Sequence, residues 1–162
     1  MKQDELEKNG FVGFVTFDSL MNDECANVSN EKGVYFVLKN GIDKTFLKES
    51  VGGHFKGKNP TAKHDVLENK WIEESDILYI GQAGGGNSSA TLKKRLKQYM
   101  RFGQGEPVGH WGGRFIWQLK DNRDLLICWR PTPNEDPREI EKAMIESFES
   151  EFGKKPFANI AG

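Results

Sequence analysis

Acidic side chains are missing from two stretches of this 162-residue chain, 51–64 and 82–105, although its Asp and Glu number 24 against 23 Lys and Arg. The near-neutral total therefore hides a local basic face, which is what a nucleic-acid partner requires. Cysteine is scarce as well. Cys25 and Cys128 are the only two, far apart and without metal-ligand spacing, so neither a disulfide framework nor a zinc site is expected. There is no run of about 18 apolar residues, and residues 1–10 lack an apolar signal core, so the expectation is a cytoplasmic protein with no membrane partner. No internal repeat or low-complexity tract is visible. A hydrophobic content of 36% over this length fits one globular domain with a real core.

What is present is organised around residues 77–99. An apolar run, Ile77-Leu78-Tyr79-Ile80, leads into a glycine-rich turn at Gly84-Gly85-Gly86 and then a helix over 90–102, with Ser88 or Ser89 as its cap. That helix carries Lys93, Lys94, Arg95, Lys97 and Arg101. A strand, a turn and a basic helix start suit a phosphate, because unpaired backbone N–H groups and cations would point the same way.

Residues 1–9 are mostly charged and predict a frayed end or short helix; 11–20 are apolar enough to dock on the body, and 22–32 read as a polar connection. Strands are predicted at 33–39, 77–82 and 125–129 from their β-branched and aromatic content. Between the first two, 51–64 form a basic loop with Gly and Pro breakers, and 65–73 allow one or two helical turns. Periodicity alone does not settle 110–119. The last helix is marked by Asp136 as N-cap, Pro137 at its first position, Glu139 in a capping-box pattern and Gly153 past its end, with Ile140, Met144, Phe148 and Phe152 as the buried stripe.

Each candidate residue also has an ordinary structural explanation. Tyr35 and Tyr79 sit inside apolar strands, where tyrosine commonly packs with its hydroxyl at the rim. Arg95 and Tyr99 share one helix face beside Leu92, Leu96 and Met100, and the cations equally make a solvated basic surface. Glu141 borders the buried stripe, where a carboxylate can meet a metal or simply face water, and Asn159 after Pro156 fits a turn.

Taken together, Gly33-Val34-Tyr35, Tyr79-Ile80-Gly81, Leu92-Lys93-Lys94-Arg95 with Tyr99, Glu141-x-x-Met144-Ile145 and Pro156-x-x-Asn159 resemble the GIY-YIG nuclease family. That family includes the N-terminal domain of the UvrC excision nuclease, phage-type homing endonucleases, some restriction enzymes and small stand-alone bacterial proteins. The resemblance covers 33–160. It implies an α+β fold, a small, mainly antiparallel three-stranded sheet flanked by helices, with 112–119 a short helix before the third strand. Residues 1–32 would be an N-terminal extension docked on a nuclease domain over 33–162, into which 40–76 are inserted.

The resemblance further implies a metal-dependent endonuclease acting on nucleic acid, with DNA favoured over RNA, and a site of Tyr35, Tyr79, Arg95, Glu141 and Asn159 supported by Tyr99. Glu141 would hold one Mg²⁺ or Mn²⁺, Arg95 would clamp non-bridging phosphate oxygens, a tyrosine would position or deprotonate the water, and Asn159 would orient Glu141 or the substrate. A tyrosine base needs a nearby cation, since free phenol ionises near a pKa of about 10. His110 is a further candidate base, because some homing-type members use a histidine after the arginine helix. Lys93, Lys94, Lys97 and Arg101 would bind nucleic acid with Lys56, Lys58 and Lys63 of the insertion, and Ser88 and Thr91 would add neutral phosphate contacts; His54 and His64 are loop residues or phosphate contacts. No feature indicates a protein partner or oligomer.

The chain departs from the family in its long insertion, in the three glycines after the second strand, and in Gln82, where members related to UvrC often carry lysine. The missing lysine motivates an alternative, a nucleic-acid-binding module that keeps the fold without cleaving. A nucleotide-binding protein built on the glycine turn is disfavoured, because residues 81–91 lack the Gly-Lys-Ser/Thr ending of a P-loop.

Overall fold

Four short segments rich in β-branched and aromatic residues build one antiparallel sheet. The computed structural model describes residues 1–160, so the last two residues of the predicted 33–162 unit lie outside the described residues. In order along the chain come α1 (Gln3–Lys8), β1 (Val12–Thr16), α2 (Phe17–Asn22), β2 (Gly33–Leu38), α3 (His64–Lys70), β3 (Ile77–Ala83), α4 (Leu92–Gly103), a 3₁₀ helix (Trp111–Gln118), β4 (Leu126–Pro131) and α5 (Pro137–Phe152). The strand order is β1-β4-β2-β3, with every pairing antiparallel. The fold is thus α+β, an antiparallel sheet flanked by helices.

The sheet has four strands, and the expected three-stranded sheet is corrected by β1. Residues 11–20 do more than dock: Val12 to Thr16 pair with β4 from Trp129 back to Leu126. The pairing was hidden because Gly13 and Phe14 both take positive φ, 101° and 57°, which makes a bulge and interrupts the two-residue alternation. The extension also buries Leu6 and Phe11 on one face of the sheet and Phe17, Leu20, Cys25 and Val28 on the other, so residues 1–32 are an integral part of the domain.

Period-two alternation in the strands separates two cores. Val34, Phe36, Leu38, Ile80 and Cys128 face α1 and α5, while Tyr35, Val37, Tyr79, Ile127 and Trp129 face α2, α4 and the 3₁₀ helix. Leu78 is the extra residue of a bulge, since Leu38 pairs with Ile77 and Val37 with Tyr79. Helix α5 has the predicted Asp136 cap and Pro137, and it ends at Gly153 in the left-handed region; the expected capping box is replaced, since Asp136 accepts from Arg138 N and the Glu139 side chain makes no hydrogen bond among the described residues. The second contact of the Asp136 carboxylate goes to Gly86 N, 3.2 Å away, so this cap also fastens the glycine turn.

The insertion is a packed layer. Leu47 N, Val51 N and Gly53 N donate to the carbonyls of Gln118, Trp117 and Phe102. Phe46 stacks on Phe157 with centroids 5.9 Å apart. The buried Gln118 amide is the pin, donating to Leu47 O and Ala62 O and accepting from Ala62 N. Gln118→Leu strands those three backbone groups and is expected to cost about 1–3 kcal/mol. Urea unfolding would measure that loss, with faster amide exchange at Ala62 marking the released segment.

Candidate active site

Three tyrosines and a histidine form the centre of the α4-side core. Tyr35 pairs across the sheet with Gly81, and its ring lies where a Gly81 side chain would stand, so even an alanine methyl there would collide with it. This gives Gly81 a physical reason, close approach of an aromatic ring. Tyr79 comes from the neighbouring strand, its centroid 6.1 Å from that of Tyr35. Tyr99 projects from α4 and stacks on His110 at 3.6 Å, while its hydroxyl donates to Gly113 O at 2.8 Å. The Tyr35 hydroxyl and His110 Nε2 are 2.7 Å apart. Gly113 is glycine for want of room: a Cβ would sit 2.8 Å from the Tyr99 hydroxyl and 3.1 Å from His110 Cε1.

Burial controls the protonation of this cluster. It pushes the Tyr35 phenol up to about 12, with the nearby Arg95 guanidinium only partly opposing it, and pushes Tyr79 and Tyr99 well above the ordinary tyrosine value. It holds His110 well below 6.5, aided by the positive charge of Arg95. The phenols and the imidazole are therefore neutral at neutral pH. His110 Nδ1 has no partner among the described residues.

The buried imidazole predicts acid sensitivity. An unfolded chain protonates His110 near 6.5 and the folded one does not, so its contribution to stability is complete above that pH and falls as pH drops below it. In His110→Phe the fall in Tm between pH 7.5 and 5.5 is expected to be smaller than in wild type, a difference that paired melting curves would resolve.

Arg95 and Glu141 bring opposite charges to the edge of the cluster. Arg95 Nη1 donates to Gly109 O at 2.8 Å, and Gln98 Nε2 donates to the same carbonyl at 2.6 Å. The Arg95 guanidinium also faces the Tyr35 hydroxyl, which it draws toward ionisation against the effect of burial. Glu141, on α5, lines a cleft of about 490 Å³ with Tyr79, Gly112, Lys142 and Asn159. Burial raises its carboxyl from 4.5 to about 7, against the pull of Arg95 and Arg138. An apolar groove between α5 and the opposite sheet face contains none of these groups.

Asn159 has a role the sequence did not disclose. Its Oδ1 accepts from Ile80 N and its Nδ2 donates to Ile80 O, both at 2.9 Å, so it closes the outer edge of β3 as an added strand residue would. Asn159 lies on the rim of the cleft through this clamp, and the amide positions β3.

The backbone phosphate cradle expected at the glycine turn and helix start is overturned. Gly85 N donates to Gln82 Oε1, and Gly86 N to Asp136. At the start of α4, Leu92 N and Lys93 N donate to Glu31 O and Ser29 O, while Lys94 N and Arg95 N are satisfied by Thr91. Thr91 is thus the N-cap, in place of Ser88 or Ser89. These N–H groups are engaged within the chain, so they do not form an anion cradle. Gln82 also gains a reason: its amide braces the glycine turn.

The basic residues divide by location. Lys94, Lys97, Gln98, Arg101 and Val108 line a shallow groove along α4. Arg101 is partly neutralised there by Glu106, which accepts from its Nε and Nη2. Lys93 and Lys97 face the Cys25 side. Lys56 lies over the Phe55 ring and Lys58 over that of Trp111, and Phe55 itself lies beside Gly109. Lys63 stands at the N-cap position of α3 without a side-chain capping bond, and among the described residues no hydrogen bond or ion pair ties it to the cleft. His64 bonds Leu47 O and serves the insertion, and His54 is exposed. Among the described residues no group of three His, Cys, Asp or Glu side chains is placed to hold a metal, and no helix is long and apolar enough to cross a membrane. Gln98 and Gly113 were the site residues missed by sequence reasoning; the close spacing of Gln98 to Arg95 was the one available signal. Comparison with protein-family models, with curated proteins and with solved structures gives no match.

Proposed function

We propose that this chain is a metal-dependent endonuclease of the GIY-YIG type, hydrolysing phosphodiester bonds in nucleic acid, with DNA favoured over RNA. One observation carries the reading. Tyr35, Tyr79, Arg95 and Glu141, from four separate stretches and all named by one sequence resemblance, lie close enough to act on one another electrostatically, and Tyr79 and Glu141 of the four line one cleft.

Hydrolysis requires a positioned water, neutralisation of the oxygens that gain charge, and help for the leaving oxygen. Arg95 offers its guanidinium to non-bridging oxygens, and Gly109 O with Gln98 fixes the plane of that fork. Tyr79, which lines the cleft, acts as a neutral phenol that orients the water, and the fully buried Tyr35 supports it from within, since burial disfavours both phenolates. The imidazole of His110 holds Tyr35 from behind. Glu141 offers one hard oxygen ligand in an open cleft, a donor set suited to Mg²⁺ or Mn²⁺, which keep several waters and use one or two carboxylates with substrate phosphate. Such a cation supplies Lewis-acid stabilisation of the developing charge when bound.

The same cluster also supports a second reading, a module that binds without cleaving. Its specific motive is now the protonation of the site: every phenol is neutral and Glu141 titrates near 7. Relaxation of supercoiled plasmid with Mg²⁺, Mn²⁺ or EDTA separates the two. Metal-dependent nicking supports the nuclease, whereas retardation in gels without any product supports the module.

A further inference from the structure

The insertion contributes one aromatic ring, and the start of the 3₁₀ helix another, near the Gly109 carbonyl gripped by the guanidinium that the nuclease reading assigns to the phosphate. Phe55, in the turn Phe55–Gly57, is half-buried, and its Cε1 and Cζ lie 3.4 Å from where a Gly109 side chain would begin. Gly109 is the residue whose carbonyl Arg95 and Gln98 grip. Trp111, two residues on, is also half-buried and packs edge-on against Phe102. Both rings are attended by cations: Lys56 Nζ is 5.2 Å from the Phe55 centroid, and Arg114 and Lys58 are 4.4 and 5.8 Å from that of Trp111.

We infer that Phe55 and Trp111, with Lys56, Lys58 and Arg114, form a stacking wall for an unpaired nucleotide next to the phosphate held by Arg95, so that the preferred substrate is single-stranded or carries splayed bases. In a duplex the base faces are covered by their neighbours, and a side-chain ring gains nothing from them; an unpaired base presents a free face. Cations beside the rings match a backbone that must run past them, and the Lys94, Lys97 and Arg101 groove continues the same positive track along α4. A wall of lysines alone would bind duplex and single strand through charge and would need no rings.

This inference rests on the nucleic-acid reading of the site, and the test keeps the two separable. Binding is measured in EDTA, by anisotropy of labelled 15-nucleotide single strands of DNA and of RNA and of the matching DNA duplex, for wild type, Phe55→Leu, Trp111→Leu and Lys97→Ala, each first checked by its melting curve. Leucine keeps apolar volume and removes the π face. Loss of one stacked base weakens single-strand binding about 5- to 150-fold in either leucine variant, with duplex binding changed less than about 2-fold. Lys97→Ala weakens both together. The DNA and RNA arms decide which single strand is bound more tightly. Equal losses for duplex and single strand, or no loss in a folded leucine variant, overturn the stacking wall while leaving the nuclease intact. Absence of any oligonucleotide binding by wild type overturns both.

Discussion

Glu141→Gln is expected to do two opposite things at once, raising thermal stability at pH 8 and lowering metal-dependent cleavage by at least about 100-fold. The stability half follows from burial. A carboxyl pushed from 4.5 up to about 7 holds its proton more tightly folded than unfolded, so the native state loses stability as pH rises through that window and the loss is complete above it. The amide of the variant carries no charge to desolvate, so the difference in Tm between variant and wild type is expected to be small near pH 4.5, to grow up to pH 7 and to level off beyond it. The activity half follows from chemistry, because an amide is a much poorer ligand for a hard cation than a carboxylate. A merely solvated surface glutamate would move neither quantity. Added Mn²⁺ should reverse the sign in wild type alone, since a cation that binds the folded state stabilises it.

Tyr99→Ala is expected to cost about 3–5 kcal/mol. Tyr99 is fully buried, stacks on His110, and lies within 6.4 Å of both Tyr35 and Tyr79 by ring centroid. Removing it opens a cavity on the inner side of the Tyr35–His110 hydrogen bond. Tyr99→Phe keeps the ring and strands only Gly113 O, so about 1–3 kcal/mol is expected, separating packing from the hydrogen bond. Guanidinium unfolding of the two variants measures both figures. If the alanine variant were as stable as the phenylalanine one, the aromatic cluster would not be what supports the cleft.

How much of this could be read from residues alone depended on whether the signal was local. Strands β2, β3 and β4 carry β-branched and aromatic runs and were located within about two residues, and α5 declares itself by Asp136, Pro137 and Gly153. Strand β1 was hidden because Gly13 and Phe14 break its alternation. The packing of the insertion was hidden because a single buried side chain, Gln118, holds it from 56 and 71 residues away. At the site, residue types were visible and protonation states were not: neutrality of Tyr35 and His110 is a property of burial. The supposed phosphate cradle shows the same limit, since the partners that fill its N–H groups, Ser29, Glu31 and Asp136, come from distant segments.

The most direct measurement is single-turnover cleavage of end-labelled oligonucleotides in Mn²⁺ by wild type, Arg95→Ala and Glu141→Gln, prepared side by side. The account predicts discrete products with wild type, abolished by EDTA and reduced at least about 100-fold in each variant while all three stay folded. Equal rates in the three proteins would assign the products to a contaminant, and no products at all would leave the cleft as a binding site without chemistry; either result contradicts the nuclease.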